Sequence, residues 1–473
     1  MKNKKLKMGL VAIAAVAGYC INGNAQSVDS LLDKLVDKGV LSVKEAQDLR
    51  EESDKDFTKA YSAKSGMSDW VSALKFNGDV RGRFDGVHFD NPAGTDRNRF
   101  RYRMRFGVVA AMNDNFEAGM RLTSSEAASG GGAGGDPISG NTTFQDNGSK
   151  KFVYFDMAYA KWTPIRTSDW QTSLTVGKME NPFVFSEMVF DADYTPEGAA
   201  LNLSYAINDQ HSLKANGGAF MMDEISGSSH DPYFYGAQLR LESIWNKRWS
   251  SSVGVAALGV LNEKNLNATQ SAVLGGAGGT NFVGSTTWTV PNQGGGNLRS
   301  VAGSGAGLTG SSGNLVYNYT PIVADASVTY TLDEFWHYKA PFPIKFGGEY
   351  IHNPAAPTEN NGYAVGLTFG KAGKSGLWEL TYRYKYLGGD MWFEEFADSD
   401  FGAFYQSGST RSGNASGYVS GTNVKGHVIK AAYSPYNALT LGLNASFAEV
   451  IQESPAGSDS KAVRVILDAV LKF

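Results

Sequence analysis

Residues 97–113 read RNRFRYRMRFGVVAAMN, with arginine at positions 97, 99, 101, 103 and 105. A helix cannot sort this pattern, because at 3.6 residues per turn alternate residues fall on different faces; a strand sorts it with period two. A strand puts Arg99, Arg101, Arg103 and Arg105 on one face and Phe100, Tyr102, Met104, Phe106 and Val108 on the other. Arginines two apart lie about 6.8 Å from each other and repel by roughly 0.6 kcal/mol in water, several times more where water is scarce. Such a face must be wet or met by acids. Its chemistry is electrostatic: it concentrates anions or, with carboxylates opposite, sets a field across a gap that orients dipolar solutes.

The candidate carboxylates lie in MENPFVFSEMVFDADYTPEG (179–198), which holds Glu180, Glu187, Asp191, Asp193 and Glu197. Arg81, Arg83 and Arg121 extend the basic side. The plainer reading of 179–198 is a solvated loop whose acids do nothing specific. DADYTPE offers oxygen ligands to a hard cation such as calcium, but it lacks the glycine turn and the ligand count of a known loop, so no metal is expected. TFGKAGKSG (368–376) resembles a phosphate-binding loop only at a glance: Thr368 stands where the first glycine should be, and a strand follows rather than a helix. The six histidines (88, 211, 230, 337, 352 and 427) show no metal spacing, and nothing pairs one with a serine or threonine nucleophile. No catalytic residue and no cofactor are expected.

The elements that must position these groups are strands. Glycine is abundant (56 of 473 residues), aromatics make up 12% and charged residues 19%, a mix suited to strands and turns. After the first 25 residues no run of about 18 apolar residues occurs, which excludes a helical membrane protein. Alternation predicts sixteen strands, at about 72–89, 97–113, 115–126, 150–164, 170–180, 196–207, 211–223, 233–245, 249–262, 320–332, 342–353, 361–371, 376–388, 423–434, 437–450 and 461–473. Every second connection is short, such as ND at 113–114 and NKR at 246–248. Those between run long, at 127–149, 181–195, 263–319 and 389–422. A soluble sandwich has no reason to gather its long loops at one end, whereas up-and-down outer-membrane barrels have short periplasmic turns, long external loops and an even strand count.

The faces follow. Leu74, Phe76, Val80 and Phe84 alternate with Lys75, Asn77, Asp79, Arg81, Arg83 and Asp85; near the end Val463, Val465, Leu467, Ala469, Leu471 and Phe473 alternate with Arg464, Asp468 and Lys472. An arginine facing lipid at mid-bilayer costs about 2–4 kcal/mol, so the arginines are expected to line a water-filled interior while the aromatics meet lipid. Phe473, closing an alternating apolar strand, fits a C-terminal signal for assembly of outer-membrane barrels.

The N-terminal MKNKKLKMGLVAIAAVAGYCINGNAQ has the parts of a signal peptide: four lysines, an apolar segment (8–17) and small residues before a cut after Ala25. Cys20 raises a lipoprotein alternative, against which Tyr19 stands where a small residue belongs. Cleavage removes the only cysteine and four lysines, leaving 39 basic against 47 acidic residues; that net acidity argues against nucleic acid. Residues 26–69 read as a periplasmic helical segment and linker, with Leu31, Leu32, Leu35 and Val36 as an apolar stripe, Gly39 as a stop and SVKE (42–45) as a capping box. The segment serves as a small hairpin or oligomer contact, or as a tether or partial plug. Residues 70–473 form the barrel.

RNRFRYRMRFG, GKMENPFVF…DADYTPEGAAL, IKFGGEYIHNP, DSDFGAF followed by GHVIKAAY, and the N-terminal LVDKGVLSVKEAQDL are, in that order, similar to the bacterial putative-porin family of outer-membrane barrels. The resemblance spans nearly the whole mature chain. It implies an all-β, pore-forming transmembrane barrel without a defined substrate, placed in the outer membrane. The Gly-rich stretches at 127–149 and 263–314 look like insertions. The reading is passive diffusion of small hydrophilic solutes through a charged lumen, with outer-membrane lipid and the barrel-assembly machinery as partners and a homotrimer as the candidate assembly. Its rivals are an anion-selective channel, a barrel enzyme, and an adhesive barrel using the 263–319 loop.

Overall fold

The computed structural model describes residues 70–126, 134–224, 229–263, 295–299, 315–406, 411, 417–453 and 459–473. The signal peptide and helical segment expected over 1–69, and most of the 263–319 connection, lie outside the described residues. In chain order the strands are β1 (Val71–Phe89), β2 (Arg97–Met112), β3 (Phe116–Ser124), β4 (Thr142–Thr143), β5 (Val153–Arg166), β6 (Trp170–Lys178), β7 (Glu197–Ala206), β8 (His211–Met221), β9 (Tyr233–Ile244) and β10 (Trp249–Leu261). They continue as β11 (Ile322–Leu332), β12 (Phe342–His352), β13 (Asn361–Gly370), β14 (Leu377–Leu387), β15 (Gly402–Tyr405), β16 (Gly417–Ser420), β17 (Val424–Ser434), β18 (Leu439–Val450) and β19 (Ala462–Lys472).

All but β4, β15 and β16 form one antiparallel sheet of sixteen strands, each paired with its neighbours. The sheet closes where β1 meets β19, from Asp79↔Lys472 to Phe89↔Ala462. Closure leaves no unpaired edge, which a sheet in hydrocarbon requires. The sixteen expected strands match these to within three residues at each end. Their outward positions are apolar: on β2, Phe100 is 60% exposed and Met104 51%, while Arg101 and Arg103 between them are 6% exposed.

Aromatic pairs ring the barrel near the short turns, where Phe116 stacks on Trp162 at 5.8 Å, Trp170 on Tyr205 at 4.3 Å, and Trp249 meets Tyr330 at 4.7 Å. A second group, including the Tyr363–Tyr386 stack at 5.2 Å, lies toward the long connections. On β14, Trp378 and Tyr386 are about 27 Å apart along the strand, the scale of a bilayer's apolar band before strand tilt. The β2–β3 turn puts Asp114 and Asn115 at φ 58° and 62°, a left-handed conformation that these two residue types tolerate.

Three connections expected to be external turn inward in their described parts, among them 263–319, whose Asn297 and Arg299 are buried against the segment 389–394. Nearly every residue from Leu387 to Tyr405 is buried, and Ile138 to Thr143 are buried with β4 pairing to Arg101 and Tyr102 of β2. The reason is composition: 391–404 carries Met391, Trp392, Phe393, Phe396, Phe401 and Phe404, which water would not hold. All but Phe404, which meets Phe89 of β1 edge-on, pack with Phe183, Met188, Val189 and Phe190 of the 179–196 connection. Inward-facing residues at the long-loop ends of the strands complete the cluster: Phe220, Phe234, Leu258, Val260, Val323, Ile351 and Val424. The polar-inside rule therefore fails at that level, because the strands there face inserted chain and not water.

Candidate functional site

The antiparallel register of β1 and β2 generates the basic wall. Its inward rungs are Asp79↔Arg105, Arg81↔Arg103, Arg83↔Arg101 and Asp85↔Arg99. The outer rungs pair opposite charges; the two central rungs set arginine against arginine. Cross-strand like charges are unfavourable, so those rungs draw acids from elsewhere. Arg83 takes Asp468 of β19 in a two-pronged bond (2.8 and 2.9 Å) and Asp400 at 3.0 Å. Arg103 takes Asp79 at 2.9 Å and Asp193 at 2.8 Å. Arg105 bonds Asp79 at 2.6 Å and lies 3.5 Å from Asp193; Arg99 bonds Asp85 at 2.8 Å. Arg101 lies 3.7 Å from Asp85 and 3.9 Å from Glu126, and donates to the Asn141 carbonyl at 3.3 Å. Arg81 donates to Asn141 Oδ1 at 2.6 Å and has no ion pair among the described residues. Arg121 joins Asp156 of β5 and Glu180 at 3.0 Å.

Of the five candidate acids, two reach this wall: Glu180 through Arg121, and Asp193 through Arg103 and Arg105. Glu187 goes to another part of the wall, bonding Lys430 of β17, three strands round from β1, at 2.5 Å with Lys385 of β14 at 3.8 Å. Burial works against its ionisation, but Lys430 and Lys385 hold its carboxyl down to about 2. Asp191 accepts from the amides of Asp193 (2.8 Å) and Ser399 (2.9 Å). Burial and then the neighbouring Asp193 and Asp398 push the Asp191 carboxyl well up. Glu197 pairs with Lys178 at 3.0 Å at the start of β7. Ser186 donates its amide (3.1 Å) and hydroxyl (2.5 Å) to Glu349 of β12, and the Val184 amide donates to Gln238 of β9 at 2.9 Å. The 179–196 connection thus touches β2, β9, β12 and β17, strands on opposite sides of the barrel. Phe473 lies on the outward face, its amide and carbonyl paired with Gly78 at 3.1 and 3.0 Å.

A sequence profile of the putative porin family matches residues 91–467. The chain belongs to that family. No curated protein sequence matches significantly. Among solved structures the chain is similar to OprB of Pseudomonas putida at high pH, at 12% identity and TM-score 0.48, covering 85% of this chain and 94% of that one. It is also similar to OmpF of Salmonella typhi in complex with daunomycin (9%, TM-score 0.43, covering 85% and 97%). A loop-deletion mutant of OmpT of Vibrio cholerae gives 9%, TM-score 0.43 and coverage of 85% and 99%. Family and closed barrel together make this an outer-membrane, porin-like channel.

Sequence reasoning missed the second inserted segment of this porin and its charges. Asp400 lies 3.1 Å from Arg464 as well as 3.0 Å from Arg83; burial opposes its ionisation, but those two arginines hold its carboxyl well below the usual range. Asp398 bonds Lys385 at 2.6 Å, and Arg299 and Glu394 form a fully buried pair at 2.6 Å. The signal was present in MWFEEFADSDFGAF, where aromatics and acids alternate with nothing outside a barrel to serve. The two inserted segments are joined by the Asp191 amide to the Phe396 carbonyl (2.7 Å) and by Trp392 Nε1 to the Val189 carbonyl (3.0 Å). Cavities remain on both sides of the 179–196 segment. One of about 300 Å³ adjoins Arg103, Arg105 and Asp136; one of about 390 Å³ adjoins Arg240, Lys345 and Arg383. Burial raises the Asp136 carboxyl to about 6.

Proposed function

We propose that this porin admits small hydrophilic solutes by passive diffusion, with weak charge selectivity that favours anions. The observation that carries the selectivity is which cations remain outside ion pairs. On the β1–β2 wall nearly every guanidinium is matched by a carboxylate, so the ladder attracts anions far less than a bare row of arginines would. Arg81 there, and Lys345 and Arg383 on β12 and β14, have no ion pair among the described residues; of the carboxyls without a cation, Glu349 is taken by Ser186, and Asp191 is pushed well up by burial. Charges not cancelled locally set the sign of the lumen potential. The 179–196 connection, bonded to opposite walls, acts as the constriction, and Asp193 supplies its acidic side.

Reversal potentials of single channels in planar bilayers under a potassium chloride gradient test the reading. A small anion preference that fades at high salt is expected, since the Debye length falls to about 3 Å at 1 M. A strong cation preference would overturn the selectivity, and no conductance would overturn the channel. Export by a signal peptide cleaved after Ala25, insertion by the barrel-assembly machinery through Phe473, and assembly as a homotrimer belong to the same reading and rest on sequence patterns.

A further inference from the structure

We propose that the lumen wall formed by β10 to β14 is a binding site for a small hydroxylated anion, one bearing a carboxylate or phosphate beside several hydroxyls. The inference rests on the reading of the barrel as a diffusion channel and adds a solute class to it. Three inward rungs build the wall. The rung toward the inserted segments runs Gly254, Asp325, Glu349, Ala364, Lys385. The middle rung runs Ser252, Ser327, Gly347, Gly366, Arg383, and the rung toward the short turns runs Ser250, Thr329, Lys345, Thr368, Thr381.

The acids on these three rungs are already engaged, and the carboxylate of Glu379 on β14, one rung nearer the short turns, is paired with no described residue. Asp325 holds Arg240 at 2.6 Å over Gly254, where a Cβ would stand 2.3 Å from the Asp325 carboxylate and push the pair aside. Glu242 holds Lys214 at 2.7 Å, and Glu349 accepts from Ser186. Lys385 is taken by Asp398 and Lys430 by Glu187. Two cations are left over. The side chains of Lys345 and Arg383 make no hydrogen bond or ion pair to any described residue, although Glu187 and Glu349 act on Arg383 through space.

The geometry lets the two converge. They stand two strands and one rung apart, about 12 Å between Cα atoms, within reach of two long side chains leaning together. Gly347 and Gly366 between them carry no side chain to obstruct that lean. The hydroxyls of Ser252, Ser327 and Thr368 line the same cavity of about 390 Å³, within the range of small-molecule sites. Lys345 and Ser327 also line a second cavity, of about 780 Å³, that reaches the turn residues Asn208 to Gln210. An anion held here would accept from an ammonium and a planar guanidinium while its hydroxyls meet serine and threonine.

The test uses the full chain in two formats. Current through single channels is recorded with glucuronate, glucose 6-phosphate or glucose added, and the same solutes are titrated calorimetrically into the detergent-solubilised protein. Saturable block and saturable heat with an anion, and none with glucose, are expected; whichever of the two anions binds names the charged group. Lys345→Gln and Arg383→Gln should each weaken binding about tenfold, the loss of one hydrogen bond to a charged group, and Lys345→Arg should retain it. Equal block by glucose, or undiminished binding in both glutamine variants with the heat-modifiable barrel intact, overturns the site. Conductance with neither block nor heat overturns the site and leaves the channel. Variant-sensitive heat without conductance supports the site and overturns the channel.

Discussion

Asp400→Asn tests how the second inserted segment is held. Asp400 reaches Arg83 of β1 at 3.0 Å and Arg464 of β19 at 3.1 Å. Two charges 3 Å apart attract by about 5 kcal/mol at an effective dielectric of 20, and the desolvation of a buried carboxylate offsets much of that. Breaking a buried pair costs about 3–5 kcal/mol when the partner is left alone. Here neither arginine is left alone, because Arg83 keeps Asp468 and Arg464 keeps Asp85 at 2.9 Å. The cost therefore falls below that range, at about 1.5–3 kcal/mol for lost hydrogen bonds to charged groups, or about tenfold to a hundredfold in the equilibrium between docked and released segment. The side chain keeps its size, so the barrel should still form and still shift on a gel when boiled. Single-channel recordings should show transitions to a larger conductance far more often than in the unaltered protein, and added protease should cut near 400. Because the carboxyl is held below the usual range, its contribution is present above about pH 4, the unfolded value, and is lost only as pH falls through the lower folded one. The wild-type segment should therefore not release on this account between pH 5 and 8. A folded Asp400→Asn channel with unchanged conductance, substates and protease pattern would refute the argument.

Five further outcomes follow from the same structure. Trp392→Ala should destabilise the docked segments by about 3–5 kcal/mol, the cost of emptying a buried aromatic site, and should raise mean conductance with the barrel retained. Raising pH from 5 to 7.5 ionises Asp136, whose carboxyl titrates near 6, and places a negative charge in the cavity beside Arg103 and Arg105. Reversal potential should then move toward cations, and Asp136→Asn should reduce the movement, the remainder coming from Asp223, whose carboxyl burial raises to about 7. Replacing Arg101 and Arg103 by Ser removes two positive charges and should also shift selectivity toward cations. Asp at both Phe100 and Tyr102 should instead lower membrane insertion, because that face meets hydrocarbon. Phe473→Ser should lower folded yield in the membrane fraction, and an undiminished yield would show that the terminal residue is not read in assembly.

Much of the barrel was written locally. Period-two alternation fixes which side of a strand each residue takes, and Gly, Asn and Asp turns fix where strands stop, so all sixteen spans and the facing of β2 could be read along the chain. The even strand count and the grouping of long connections came from the same local signals. What no local signal carries is the choice of partner. Arg83 and Asp468 are 385 residues apart and meet only because β1 closes on β19; Glu187 finds Lys430 across 243 residues. The alternation of β1 and β2 predicts that arginines need acids but not which acids arrive. Tertiary structure decided that Asp193 and Asp400 arrive on two inserted segments and that Glu187 serves lysines of β14 and β17 instead. It also decided that MWFEEF packs inside, because a closed barrel offers the aromatics a dry interior that a free loop in water cannot. The sequence determined the strands and their two faces through short-range sterics and patterning, and the lumen was decided by closure and insertion, whose contacts join residues hundreds of positions apart.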